Sequence, residues 1–333
     1  MELIAKTRPG TEFFPPVITM LATLTVVLPI FALIFAGWLA RRIGALGPNA
    51  TSELNRFVVY LALPALLLDI TAHARWIDVW QPGFIAAFTL GAFIVFVLTI
   101  FLRLRRPRHL ADATIDGLNA AYANTGFVGF PLAAAALGPP ALAPTLIATI
   151  ITVCVLFAVA IILIETGLQT EKRRSKLFIK VGGSLIRNPL LIAPVIGAII
   201  PICGLAVPAP VETFLKLLGG AASPCALVAL GLFLAAKRES SERDVKSAAL
   251  LTGFKLLLQP AITWVLAALI FDLPPHLVHA AVLLAALPTG TGSFMLAEFY
   301  KREAGVTSNV ILTSTVLSVV TVSLYLALIG PSG

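Results

Sequence analysis

Long apolar runs, separated by short polar stretches, set the pattern of this chain. A helix crosses the hydrocarbon of a bilayer with about 20 apolar residues. Runs of that kind lie near 17–40, 56–72, 82–102, 142–164, 182–206, 213–236, 248–271 and 307–329. Two more segments, near 112–136 and 277–300, have the length but are interrupted by glycine, proline and polar residues. Counting both predicts an all-α membrane protein with ten transmembrane helices. Glu2, Lys6, Arg8 and Glu12 precede the first run, which is expected to be a retained helix and not a cleaved signal.

Composition changes the picture only by naming the solvent. With 59% hydrophobic and 12% charged residues among 333, and a mean hydropathy of +0.98, the chain has too little polar surface for a soluble domain. Lipid is its solvent. The net charge of +8 would suit nucleic acid, but the basic residues sit in clusters between apolar runs. Loops after the odd spans hold Arg41 and Arg42; Arg103, Arg105, Arg106 and Arg108; Lys172 to Lys180; Lys237, Arg238, Arg243 and Lys246; and Lys301 and Arg302. The alternate loops hold Lys6, Arg8 and Arg75. This bias predicts odd loops in the cytoplasm and both termini outside it, in the cell inner (plasma) membrane.

The two halves repeat. Pro29 and Gly37 recur as Pro189 and Gly197, and Arg56 and Pro64 as Lys216 and Pro224, at one offset of 160. Asn124-Thr125-Gly126 recurs as Pro288-Thr289-Gly290, with Phe130 matching Phe294, at an offset of 164. The expected units are residues 1–170 and 177–333, five spans each. An odd number of spans makes the second unit enter the membrane inverted, an arrangement that serves alternating access in transporters.

The interrupted spans, four and nine, carry the candidate chemistry. Asn119, Asn124, Thr125, Gly126, Gly129 and Pro131 fall at membrane depth in the first, and Pro288, Thr289, Gly290, Thr291, Gly292 and Ser293 in the second. Proline removes a backbone donor and glycine permits unwound backbone. Such breaks survive in lipid only where they line a cavity or other protein. Each second half-helix would aim free N–H groups and a positive dipole end into that cavity, which favours an anion such as a carboxylate. Asn124, Thr125, Thr289 and Thr291 add side-chain donors. Proline kinks used for packing alone would leave the polar residues and their symmetric placement unexplained.

Two ionisable residues are candidates for charge coupling. Asp69 near the outer end of span two reads either as a proton or cation carrier or as an interfacial carboxylate. Lys255, some seven residues inside span eight, either snorkels to the interface or stays in the bundle, where it would neutralise a substrate or an acidic side chain. Arg187 reads as an edge anchor, and Glu298 with Lys301 and Arg302 as a local helix-surface pair. Cys154, Cys203 and Cys225 show no metal or redox spacing, and His73, His109, His276 and His279 no ligand motif. PTGTG (288–292) lacks the Gly-Lys-Ser/Thr ending of a phosphate loop. No nucleophile–base pair stands out, so neither an enzyme nor a bound cofactor is expected, and an ATP-driven pump is excluded for this chain alone.

At these residues the sequence resembles the auxin efflux carrier family, the plant PIN carriers and their bacterial relatives. LNRFVVYLALP (54–64), LIRNPLLIAPVIG (185–197), ANTGFVGFPL (123–132) and LAALPTGTGSFMLAEFY (284–300) look like its motifs in order. The long cytoplasmic loop of the plant carriers is absent, and their Pro-Asn-Thr stands here as Ala123-Asn124-Thr125. The resemblance implies a fold like that of bile-acid symporters and sodium–proton antiporters, with broken helices four and nine crossed. Spans one, two, six and seven would be a scaffold that supports a homodimer, and spans three to five and eight to ten a mobile transport domain. It implies substrate contacts at Asn124, Thr125, Gly126, Pro131, Pro288, Thr289, Gly290 and Thr291, with Asn124 on the carboxylate and the two prolines fixing the crossover. The expected function is a secondary transporter, an efflux carrier of small organic anions working by an elevator movement. A sodium- or proton-coupled symporter or exchanger of the same fold is the alternative, and a channel or membrane sensor the alternative from another class.

Overall fold

The computed structural model describes residues 16–73, 80–105, 107–169, 187–236 and 242–329. All regular elements among them are helical. The basic residues Lys6, Arg8, Arg75, Arg106, Lys172 to Lys180, Lys237 and Arg238 lie outside the described residues. The first helix, α1, runs Pro16–Arg42. Six segments are long and apolar enough to cross a membrane: α2 (Ala50–Ala72), α3 (Pro82–Leu104), α6 (Pro139–Leu168), α8 (Ala209–Ala235), α9 (Asp244–Ile270) and α12 (Ala304–Ile329). Between them stand shorter helices: α4 (Leu110–Ala121), α5 (Thr125–Leu137), α7 (Pro189–Ile202), α10 (Pro275–Ala285) and α11 (Gly292–Phe299).

Both interruptions expected from the sequence are present. The segment around 112–136 divides into α4 and α5, and that around 277–300 into α10 and α11. Of the sixth expected span, 182–206, residues 182–186 lie outside the described residues. Its described helix is the 14-residue α7, about 21 Å of rise against roughly 30 Å of hydrocarbon. Asn188 caps its first turn through Leu190 N–H at 3.0 Å, and Arg187 just before it is exposed.

One device absorbs three of the prolines, while Pro29, Pro194 and Pro201 sit inside regular helix. Wide turns at Val58–Ala62, Thr125–Gly129 and Phe254–Leu258 each lie just ahead of Pro64, Pro131 and Pro260. Proline has no N–H to give and its ring crowds the carbonyl four residues back. Stepping the ladder out by one residue before the ring relieves that clash without ending the helix.

Helix α1 packs along the second half of α8, and α2 packs against α7 and α8. Helix α3 packs on α4 and α9, α4 on α6, and α9 on α10 and α12. Glycine permits the closest approaches. A Cβ at Gly37 would lie 2.1 Å from the Val228 carbonyl oxygen, and one at Gly197 would lie 2.5 Å from that of Leu68. The two contacts repeat at the offset of 160 in both partners. Lipid supplies no hydrophobic drive between helices, so close backbone packing of this kind holds them together. Gly231 sits tighter still, its Cβ position 1.9 Å from the Ile34 carbonyl oxygen. Gly231→Leu is therefore expected to push α1 off α8 at a cost of about 1–3 kcal/mol or more. Gly220→Ala, at an exposed helical site with open space around it, should leave the melting temperature of purified protein unchanged or slightly raised.

Candidate functional site

The chain between α4 and α5 turns extended at Tyr122 (φ −83°, ψ 92°) and pairs with the chain between α10 and α11. Ala123 and Thr289 form an antiparallel bridge. Asn124 N–H donates to Pro288 O at 2.9 Å, and Gly290 N–H donates to Tyr122 O at 2.9 Å. The two breaks thus satisfy each other's backbone groups, as burial in an apolar medium requires. Alanine at 123, where the plant carriers have proline, does not prevent the break. The Tyr122 ring fills the space that side chains at Gly290 and Gly292 would need: Cβ atoms there would fall 2.7 Å and 2.5 Å from it.

Side chains take three of the carbonyls at these helix ends. Thr289 Oγ1–H donates to Asn119 O at 2.8 Å, and Gln259 Nε2–H donates to Ala121 O, the last residue of α4, at 3.0 Å. Lys255 Nζ donates to Ala285 O, the last residue of α10, at 2.6 Å. Lys255 is completely buried, so its nitrogen does not reach the interface. Asn119 is held by Thr307 Oγ1 at 2.9 Å.

A cavity of about 170 Å³ opens against this pairing. It is walled by Leu63, Leu66 and Ile70 of α2, by Thr149 and Val153 of α6, and by Ala222 of α8. Of the residues expected at a binding site, Asn124, Thr125, Gly126, Gly290 and Thr291 line it. Pro288 and Thr289 are buried beside it but do not line it, and Pro131 is exposed. Thr289 gives its hydroxyl to Asn119 O in the last turn of α4 and its N–H to Ser314 Oγ of α12 at 3.1 Å instead. Lys255 lies outside the cavity, and so does Asp69, whose carboxylate stands 3.0 Å from His73 Nδ1 next to the cavity-lining Ile70.

Among the described residues, no charged side chain lines the cavity. Its lining is mostly apolar, and the Thr149 hydroxyl is spent on Thr145 O. The Asn124 amide makes no side-chain hydrogen bond to a described residue, and the Thr125 hydroxyl is fully buried with no partner there. The first-turn N–H groups of α5 and α11 have no intrahelical acceptor by position, and both positive helix ends face this space. Neutral donors and dipoles arranged in this way hold a small anion without a fixed countercharge.

Three residues of the site escaped the sequence reading. Tyr122 precedes the break and lines the cavity. Gln259 follows Lys255 by one helical turn within an apolar span, a polar pairing that was available as a signal. Asn55, in the LNRF stretch, is buried in α2 and donates to Met295 O of α11 at 3.2 Å.

On the side of the basic loops a second polar cluster ties the elements together. Asp116 of α4 is fully buried and meets Arg103 Nε at 2.9 Å and Arg108 Nη1 at 2.8 Å. Arg302 grips Asp112 through two hydrogen bonds. Helix α11 ends at Phe299, and Lys301 and Glu303 take positive φ values of 54° and 53°, so the stretch Glu298–Arg302 is not one continuous helix surface.

Comparisons with known proteins agree with a carrier. The family described as "Membrane transport protein" matches residues 22–326. A Rhizobium meliloti (strain 1021) protein named "Putative malonate transporter" is 32% identical over 305 residues, 91% of this chain and 94% of its own. A Methanothermobacter thermautotrophicus protein named "Uncharacterized transporter" is 27% identical over 310 residues, 90% of this chain and 96% of its own. An Escherichia coli (strain K12) protein, "Uncharacterized transporter YfdV", is 25% identical over 284 residues, 81% of this chain and 86% of its own. With interrupted apolar helices that meet at a small, mostly apolar cavity and a family match over most of its length, this chain belongs to the membrane transport protein family, the family of the auxin efflux carriers.

Proposed function

We propose that this chain is a secondary transporter of small organic anions, with the carboxylate held at the meeting point of α4–α5 and α10–α11. The observation that carries the reading is the cavity itself: two helix N-termini and the free Asn124 amide beside a small space, with the unpartnered Thr125 hydroxyl buried behind it and no charged side chain among the described residues that line it. The volume of about 170 Å³ is below the roughly 300–1,000 Å³ of pockets for drug-sized ligands. That size and the name of the Rhizobium relative favour a short dicarboxylate such as malonate over an indole acid. Purified protein offered malonate, malate and indole-3-acetate should bind one of the short acids saturably, and indole-3-acetate at least tenfold more weakly. Tighter binding of the indole acid, or no binding of any acid by folded protein, would overturn the reading.

The mechanism we infer is an elevator. Helix α8 packs on α1 and α2, and α2 on α7, while α3, α4, α6, α9, α10 and α12 form a second packed set, which α1 also meets along α12. The cavity has walls from both sets, the position a carried substrate needs if one set slides along the other. The inverted repeat is supported by the matched contacts Gly37–Val228 and Gly197–Leu68. The Asp69–His73 pair, one position from Ile70, is where we place a coupling proton. Both termini outside the cytoplasm follow from the basic loops.

A further inference from the structure

Four helix ends converge where the two breaks meet. The N-termini of α5 and α11 carry partial positive charge and suit an anion; the C-termini of α4 and α10 carry about half a negative charge each and oppose it. An anion site built this way works only if the negative ends are covered, and left bare they would draw a cation. Helix α9 covers both. Lys255 and Gln259 stand four residues apart on one face and donate to Ala285 O at 2.6 Å and Ala121 O at 3.0 Å. The two carbonyls are 164 positions apart, the same offset that relates the two breaks. Lys255 is 0% and Gln259 1% exposed, and neither lines the cavity. A fully buried lysine is costly to keep in an apolar bundle, and the only partner its nitrogen has among the described residues is that carbonyl.

We propose that Lys255 and Gln259 are specificity-setting residues, which make the meeting point selective for anions by covering its two negative helix ends. The inference rests on the anion reading above and acts through the helix ends, so both are positioning residues and neither touches the substrate. Lys255 takes the place that a free cation would otherwise hold at the end of α10, which makes acid binding independent of sodium.

The test compares wild type with Lys255→Met, close in length and apolar, in sodium chloride and in choline chloride. Wild-type acid affinity and melting temperature should be the same in the two salts. Lys255→Met should lose about tenfold in acid affinity in choline, regain part of it in sodium, and melt higher in sodium with a saturable dependence. A purely structural role would lower the melting point in both salts alike and create no sodium response. Unchanged acid affinity in the variant, or a loss that sodium does not touch, would overturn the proposal. Should Lys255→Met not fold, Gln259→Leu removes an uncharged cap and should lose about threefold in acid affinity; wild-type affinity there would count equally against it. The wild type's own acid binding in choline separates the two ideas: if it is absent, the anion reading fails, and the sodium response of Lys255→Met still reports whether the side chain hides a cation-attracting helix end.

Discussion

Asn124→Ala should abolish saturable acid binding and transport while leaving the protein as stable as wild type. The amide lines the cavity and makes no side-chain hydrogen bond to a described residue, so its removal breaks nothing that holds the fold. What it takes away is a pair of hydrogen bonds to a charged ligand, each about 1.5–3 kcal/mol, or roughly a hundredfold or more in affinity together. The backbone pairing of Asn124 with Pro288 does not depend on the side chain and should persist. Asn124→Asp should fall further, because it sets a carboxylate beside the bound one. Isothermal titration with the preferred acid, paired with melting curves, checks both. Acid affinity within threefold of wild type in Asn124→Ala would move the binding site elsewhere.

Asp116→Ala is expected to cost the fold what Asn124→Ala spares it. Asp116 is 0% exposed and lies against two guanidiniums, Arg103 and Arg108, that are themselves 8% and 10% exposed. Removing the acid leaves two buried cations facing each other, and breaking a buried pair in this way costs about 3–5 kcal/mol. The cluster joins α3, α4 and the turn before α12, where Glu303 lies 3.4 Å from Arg108. The loss should therefore appear as a lower melting temperature and poor recovery of monodisperse protein. Asp112→Ala is the contrast. Its partner Arg302 is 29% exposed, so water compensates part of the loss and about 1 kcal/mol is expected. Equal melting points for the two variants would show that the buried cluster does not hold α4 in place.

The same contrast shows which features can be read along the chain and which cannot. Helix breaks are local: proline withdraws a donor and glycine frees the backbone, whatever surrounds them. The interruptions at 122–124 and 286–291 and their repetition at an offset of 164 were legible for that reason. So were the apolar runs, since the length of a span follows from the thickness of the bilayer. The end of α11 was not, because nothing in the Glu298–Arg302 spacing reveals that the chain turns at Lys301 to hand Arg302 to Asp112, 190 positions away.

Side-chain direction was hidden for a deeper reason. In water, an amphipathic stripe tells which face of a helix is inside. In lipid the outer face is as apolar as the core, so the stripe fades and the sequence no longer marks the inward side. Only packing sets the phase of each helix, and that phase decided the roles. It turned Thr291 to the cavity and Thr289 to the end of α4, left Pro131 exposed, and brought Tyr122 against Gly290. It also took Lys255 away from the lipid boundary to Ala285. Local backbone chemistry thus wrote the spans, the breaks and the donors at 124 and 125 into the sequence. Their partners depended on helices brought together from distant parts of the chain, where close backbone contact, not hydrophobic pattern, is the force that selects them.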